Sequence, residues 1–265
     1  MASDIKDYYL KIYTPTFRVS QDMVKPYLRP EQLLILTALE YGESRFGESR
    51  ASIESLYEDC GHNIRYPSRA TYYRFKNYVR DTIQFAYENL GWTTNAELDE
   101  KYSTRRIFKV VTTDTPKNLL DGYDNSYAVL YSKEWQMLRD KVEANNKGVL
   151  LQVFLTIVSY IYPRKPGRTI ESSPMATYMS FERLAKETKL SAPTVLNAVH
   201  ALVDAGMLAC KNYGKFVNDN GVIVNTPNVY ARPQIDGSEK EEMLAKAHLM
   251  LKAYNVSDRQ LRYEY

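Results

Sequence analysis

The chain has 265 residues, 44% hydrophobic and 25% charged, which is enough apolar material to bury a core and excludes a disordered tail or a coiled-coil rod. Its length predicts two domains. With 35 Lys and Arg against 32 Asp and Glu, the net charge of +3 does not mark a chain that coats nucleic acid by bulk charge, so any such role must rest on local charge.

Residues 1–24 read as an N-terminal arm, with Tyr8, Tyr9 and Tyr13 as packing or interface residues. Pro30 opens a helix whose Leu33, Leu34, Leu36, Thr37 and Leu39 are core candidates, and Gly42 closes it. A short helix is predicted over 52–59, broken by Gly61, and Ser68 caps a long helix running to about Leu90. Strands follow at 106–112 and 127–131, separated by Pro116 and the Asp121-Gly122 turn.

The apolar stretch from Val149 to Tyr162 is shorter than the ~20 residues a bilayer crossing needs and reads as a core helix over 141–161. After the loop carrying Arg164, Lys165 and Arg168, Ser180 caps a helix that turns Leu184, Ala185 and Thr188 inward. Ser191 caps the next, with Pro193 in its first turn, Val195, Val199, Leu202 and Val203 on one face, and Gly206 at its end. Two strands joined by a flexible loop follow, drawn from the apolar stretches 207–211 and then 222–224 and 229–230, with Asn220-Gly221 as the turn signal. An amphipathic helix over 239–254 completes the chain.

The fold class is therefore mainly α with small β-hairpins, α+β, in which one plan of a helix, two shorter helices and strands is used twice. The predicted domains are 25–139 and 140–235, with 236–265 as the C-terminal helix and tail.

Catalytic and metal-binding patterns are missing from the sequence. Cys60 and Cys210 do not form a disulfide or zinc spacing, and His62, His200 and His248 form no metal-binding pair. No phosphate-cradling glycine loop, nucleophile elbow or calcium loop is present. No catalytic residue, metal or cofactor is expected. The opening MASDIKDYYLKIY lacks the basic and apolar segments of a signal peptide, so a reducing, cytoplasmic setting without membrane attachment is expected.

Local charge is uneven. From Cys60 to Arg80 stand Arg65, Arg69, Arg74, Lys76 and Arg80 with no acid among them. Arg69, Tyr73, Lys76 and Arg80 recur at i, i+4, i+7 and i+11, a row suited to phosphates and base edges beside a buried stripe of Tyr72, Phe75, Val79, Ile83, Ala86 and Leu90. A solvated, solubilising helix face is the alternative. A second acid-free run holds Lys101, Arg105, Arg106 and Lys109. In the second half, Ser191, Thr194, Asn197 and His200 can hydrogen-bond to bases, but residues 192–203 hold no cation. Any phosphate grip there falls to Lys189, Lys211, Lys215 or the 164–168 loop. The 23 tyrosines also raise single-strand stacking, although packing is the commoner use of such residues.

The stretch SFERLAKETKLSAPTVLNAVHALVDAGML resembles the winged-helix DNA-binding family: Ala185 stands at the small helix-contact position, Leu190 in the turn, Val195 in the second helix, and Ala205-Gly206-Met207-Leu208 at the entry to the wing. Lys189 departs from the glycine the family often has there. Two such modules in one chain resemble the tandem winged-helix replication initiators of plasmids and phages. That resemblance implies sequence-specific binding of double-stranded DNA without catalysis, homodimers on repeated half-sites about one helical turn apart, and replication proteins as partners. A transcriptional regulator and a winged-helix protein-interaction scaffold are the alternatives, with a nuclease or recombinase ranked last.

Overall fold

The computed structural model describes residues 9–19, 26–44, 47–62, 68–95, 103–112, 127–142, 146–161, 176–212, 214–217, 223–225 and 227–232. The expected helix over 239–254, Arg65, Lys101, the 164–168 loop and the Asn220-Gly221 turn lie outside them. The structure is a mixed α+β one, in which helices carry small antiparallel sheets. It divides into two compact units, one of Met1–Phe17 with Pro26–Gln152 and the other of Arg18–Lys25 with Val153–Tyr265.

The first unit opens with strand β1 (Tyr9–Tyr13), which pairs antiparallel with β5 (Tyr127–Tyr131) in the register Tyr9↔Tyr131 to Tyr13↔Tyr127. Leu10, Ile12, Ala128 and Leu130 fill the buried face of this ribbon, so residues 9–13 of the N-terminal stretch take part in a sheet of the first unit. A short α1 (Thr14–Phe17) follows, then α2 (Pro30–Tyr41), in which every residue from Leu33 to Leu39 is buried. Its Gly42 has a φ of −75°, so the expected glycine stop operates without the left-handed conformation.

Strand β2 (Glu48–Ala51), which sequence patterning does not predict, leads into α3 (Ile53–Asp59). Ser52 caps α3 by accepting from the Ser55 amide at 3.0 Å. Gly61, at φ 73°, ends α3 in a Schellman turn: its N–H donates to the Glu58 carbonyl and the His62 N–H to that of Tyr57. Helix α4 (Arg69–Phe85) is capped by Ser68 and widens into a π turn over Ala86–Leu90, and Gly91 stops it at φ 73°. Phe75, Val79 and Ile83 bury the face that α4 turns toward α2 and α3. Each such side chain removed from water contributes about 1.5–3 kcal/mol.

Strands β3 (Thr93–Thr94) and β4 (Phe108–Val111) complete a sheet of order β2-β4-β3. The two strands predicted at 106–112 and 127–131 thus belong to different sheets. Helix α5 (Ser132–Asp140) follows β5 and buries Trp135, Met137 and Leu138.

Helix α6 (Lys147–Ile161) begins in the first unit, whose boundary falls after Gln152, and supplies the first helix of the second. Every residue from Gly148 to Val158 is buried, as expected for a core helix, but the helix begins at Lys147 and not at the predicted 141, where α5 has just ended. Among the described residues no helix is long and apolar enough to cross a membrane.

In the second unit, strand β6 (Ala176–Met179) precedes α7 (Phe181–Thr188) and α8 (Ala192–Asp204), capped by Ser180 and Ser191 respectively. Gly206, at φ 72°, closes α8 with the Met207 N–H donating to the Leu202 carbonyl, and both of those side chains are fully buried. Strands β7 (Ala209–Lys211) and β10 (Asn228–Ala231) join β6 in a sheet of order β6-β10-β7. A separate hairpin, β8 (Lys215–Val217) with β9 (Ile223–Asn225), interrupts the β7 to β10 connection.

The stretch around residues 18 and 19 is bound into the second unit. The Arg18 guanidinium donates to the Tyr160 hydroxyl and to Glu187 Oε2 (3.2 Å), and lies 4.3 Å over the Tyr160 ring. Tyr160 donates to the same carboxylate at 2.8 Å, and the Val19 N–H donates to the Glu187 carbonyl. Arg183, one helical turn before Glu187, donates to its Oε1 at 3.0 Å.

Each unit therefore contains a run of helix, strand, helix, helix, strand, strand whose third strand is the middle one of a three-stranded sheet; the first unit adds β1, α1, β5 and α5, and the second inserts the β8–β9 hairpin.

Candidate nucleic-acid interface

In the first unit the candidate surface is the outer face of α4. Arg69, Tyr73, Arg74 and Arg80 are exposed there, Tyr73 to 46% of its surface. Lys76 is not. It is only 4% exposed, which removes it from the predicted row. Three residues of helix place it only about 60° from Val79, on the flank of the buried stripe. Its ammonium sits 5.8 Å from the centre of the Tyr73 ring, with the aliphatic stem covered. Tyr72, read as part of the buried stripe, is half-buried at its edge.

The remaining cations differ in how far they are already neutralised. Arg80 donates twice to its neighbour Asp81, at 3.2 and 3.0 Å. Arg69 and Arg74 meet no acid among the described residues and carry the free positive charge of this face. The acid-free run after residue 101 is compensated by the fold. Glu54 on α3 accepts from Arg105, and Glu48 on β2 pairs with both Lys109 and Arg50. The Lys109 ammonium holds the Glu48 carboxyl below the ordinary carboxylate range. These two acids could not have been assigned from spacing, because the strand and helix that deliver them lie about 50 to 60 positions away.

In the second unit α8 presents a face without cations, on which the exposed Asp204 stands one turn beyond His200. Asn197 and His200 are exposed one turn apart, and neither side chain has a hydrogen-bond partner among the described residues. Ser191 and Thr194 are committed elsewhere: the Ser191 hydroxyl accepts from the Thr194 amide at 3.2 Å and meets the Thr194 hydroxyl at 2.7 Å. Both can still face a ligand, but only by giving up part of the cap.

Lys189 is exposed between α7 and α8 at φ 59°, the one left-handed non-glycine residue among those described. The backbone there adopts the conformation that a glycine would take without strain. Lys211 and Lys215 are exposed on the strands that follow. Between them the Asn212 side chain donates to Asn228 Oδ1 and accepts from the Gly214 amide, both at 2.8 Å, which fixes the base of the β8–β9 hairpin.

Cys60 and His62 have structural surroundings. Cys60 is fully buried, and burial pushes its thiol far above the range where a thiolate nucleophile forms. His62 Nε2 lies 2.7 Å from Glu31 and its ring stacks 4.4 Å from Tyr57, completing the Schellman turn after α3. No group of three or more His, Cys, Asp or Glu able to hold a metal occurs among the described residues. No family model matches the chain, and no curated protein or solved structure matches it either.

Proposed function

We propose that this chain is a sequence-specific double-stranded DNA-binding protein whose two units are winged-helix modules, acting in the cytoplasm as a plasmid or phage replication initiator on repeated origin sites. The observation that carries the reading is the repeated element order with the third strand central in a three-stranded sheet of each unit, together with an exposed face on α4 and on α8. In the first unit that face carries Arg69 and Arg74, which suit phosphates. In the second it carries Asn197 and His200, which suit base edges in a major groove, with Lys189, Lys211 and Lys215 beside it. Affinity then comes mainly from the first unit and sequence preference from the second. Homodimers and replication proteins are the partners this role requires.

Fluorescence anisotropy on random and flanking genomic duplexes at roughly 50 and 200 mM salt tests it. The expected result is a loss of affinity of an order of magnitude or more between the two, with preference for the flanking DNA. Asn197→Ala should relax preference at one or two base pairs without altering the salt slope. A transcriptional regulator would give the same binding and add dependence on an effector. Failure to bind at low salt supports the protein-interaction scaffold, which the cation-free α8 favours.

A further inference from the structure

Six large hydrophobic side chains stand exposed among the described residues, and four of them are tyrosines with a hydroxyl to place in water. The other two are aliphatic: Ile107, 68% exposed, and Ile223, 66% exposed. One exposed aliphatic residue is ordinary on any protein surface. Here the two lie in the same connection of two different sheets, Ile107 directly ahead of β4 and Ile223 in the separate β8–β9 hairpin. Each stands on the returning arm of the connection between the second and third strands of its sheet, Ile107 between β3 and β4 and Ile223 between β7 and β10.

Both positions are held firmly. Ahead of Ile107, the Thr104 hydroxyl donates to Glu54 at 2.8 Å, the Glu54 N–H donates to the Thr104 carbonyl, and Arg105 grips the same carboxylate. Behind it, the Lys109 N–H donates to Asn95 Oδ1 at 2.9 Å. Ile223 is paired with Val217 across the β8–β9 hairpin, whose base is closed by Asn212 and Asn228. Lys215 pairs with Asn225 in that register, so strand alternation puts Lys215 and Ile223 on one face of the ribbon, as diagonal neighbours. Lys215 meets no acid among the described residues. On the β8–β9 hairpin an exposed aliphatic side chain beside a cation matches duplex DNA in two respects, phosphate for the cation and an apolar base step for the side chain.

We propose that Ile107 and Ile223 are wedges which the two strand connections press between base steps of duplex DNA, so that binding bends the DNA. This rests on the DNA-binding reading above. Wedging unstacks the step and turns the duplex by tens of degrees, exposing more of its backbone to the cations of α4 and the Lys215 hairpin.

The test uses the intact 265-residue chain and a duplex of about 40 base pairs recovered from a random library by selection, labelled at both ends for energy transfer. The wild type is expected to raise transfer on binding. Ile107→Ser with Ile223→Ser should return transfer to the value of the free duplex, weaken binding roughly tenfold, and leave the salt slope unchanged because no cation is lost. Both changes are at exposed positions, and circular dichroism checks that the variant is folded. A wild type that binds without bending, or a double variant that bends DNA as well as the wild type does, overturns the wedge and leaves DNA binding standing; a variant altered only in self-association counts with these. A wild type that recovers no duplex and binds none overturns the DNA reading and the wedge together.

Discussion

Arg105 is held by both carboxylate oxygens of Glu54, each at 3.3 Å, across 51 positions of sequence. The arginine remains largely exposed, so the pair contributes little to stability, yet it fixes where the guanidinium points and offsets its charge. Arg69 has no such partner among the described residues. Arg69→Ala should therefore lower the slope of log affinity against log salt by about 1, and Arg105→Ala by clearly less. Lys76→Ala should leave the slope alone and cost about 1–2 kcal/mol of stability, because its buried stem is packing. Equal slopes for all three variants in a salt titration would contradict this division.

The left-handed backbone at Lys189 separates fold from binding. Lys189→Gly should stabilise the chain by about 0.5–1 kcal/mol, because the strain of a side chain at positive φ is removed. Lys189→Asn also tolerates that φ and, like the glycine variant, loses the charge. Both should lower the salt slope of DNA binding while leaving stability equal to or above the wild type. Thermal denaturation and anisotropy on the same samples check the pair, and a destabilised glycine variant would contradict the assigned strain.

Glu40, in the last turn of α2, has its Oε2 buried and without a hydrogen-bond partner among the described residues. Burial, with Glu43 nearby, pushes its carboxyl up from 4.5 to about 8. The folded state therefore keeps a proton that the unfolded state releases, so this group's contribution falls as pH rises from about 4.5 to about 8 and is flat on either side. Glu40→Gln should gain a few kcal/mol on the wild type at pH 8.5 and almost nothing at pH 4. Urea unfolding at the two pH values measures it.

Gly148 has no room for a side chain. A Cβ there would overlap the carbonyl group of Pro30 and approach the Glu31 nitrogen, all backbone atoms that cannot swing aside. Gly148→Ala should cost about 3 kcal/mol or more even though alanine is the better helix former, because the start of α6 would have to move off the start of α2. An unchanged melting temperature would show that the contact yields.

Features set by neighbours in sequence are legible without the structure. Ser68, Ser180 and Ser191 each cap the helix that spacing assigned to them, because a cap bond spans only three residues. Gly61 and Gly206 end their helices for the same local reason. Strands Glu48–Ala51 and Ala176–Met179 were not legible, since each is four residues long and acquires its pairing from a strand some 50 to 60 positions away. The candidate site divides in the same way. Helical periodicity places Arg69, Tyr73, Asn197 and His200 on outward faces, but the depth of Lys76 depends on what packs over the flank of α4. The charge left on the 105–109 run depends on Glu48 and Glu54, which only the fold brings there.

The chain threads the second unit with residues 18–25 before it has finished the first. A truncated protein starting at residue 153 would keep Tyr160, Arg183 and Glu187 but lose Arg18 and Val19, and with them the guanidinium over the tyrosine ring and a backbone bond to α7. A truncated protein ending at residue 152 would carry those two residues with nothing to bind. No single cut yields two faithful halves, so separating the duties of α4 and α8 calls for point substitutions in the intact chain.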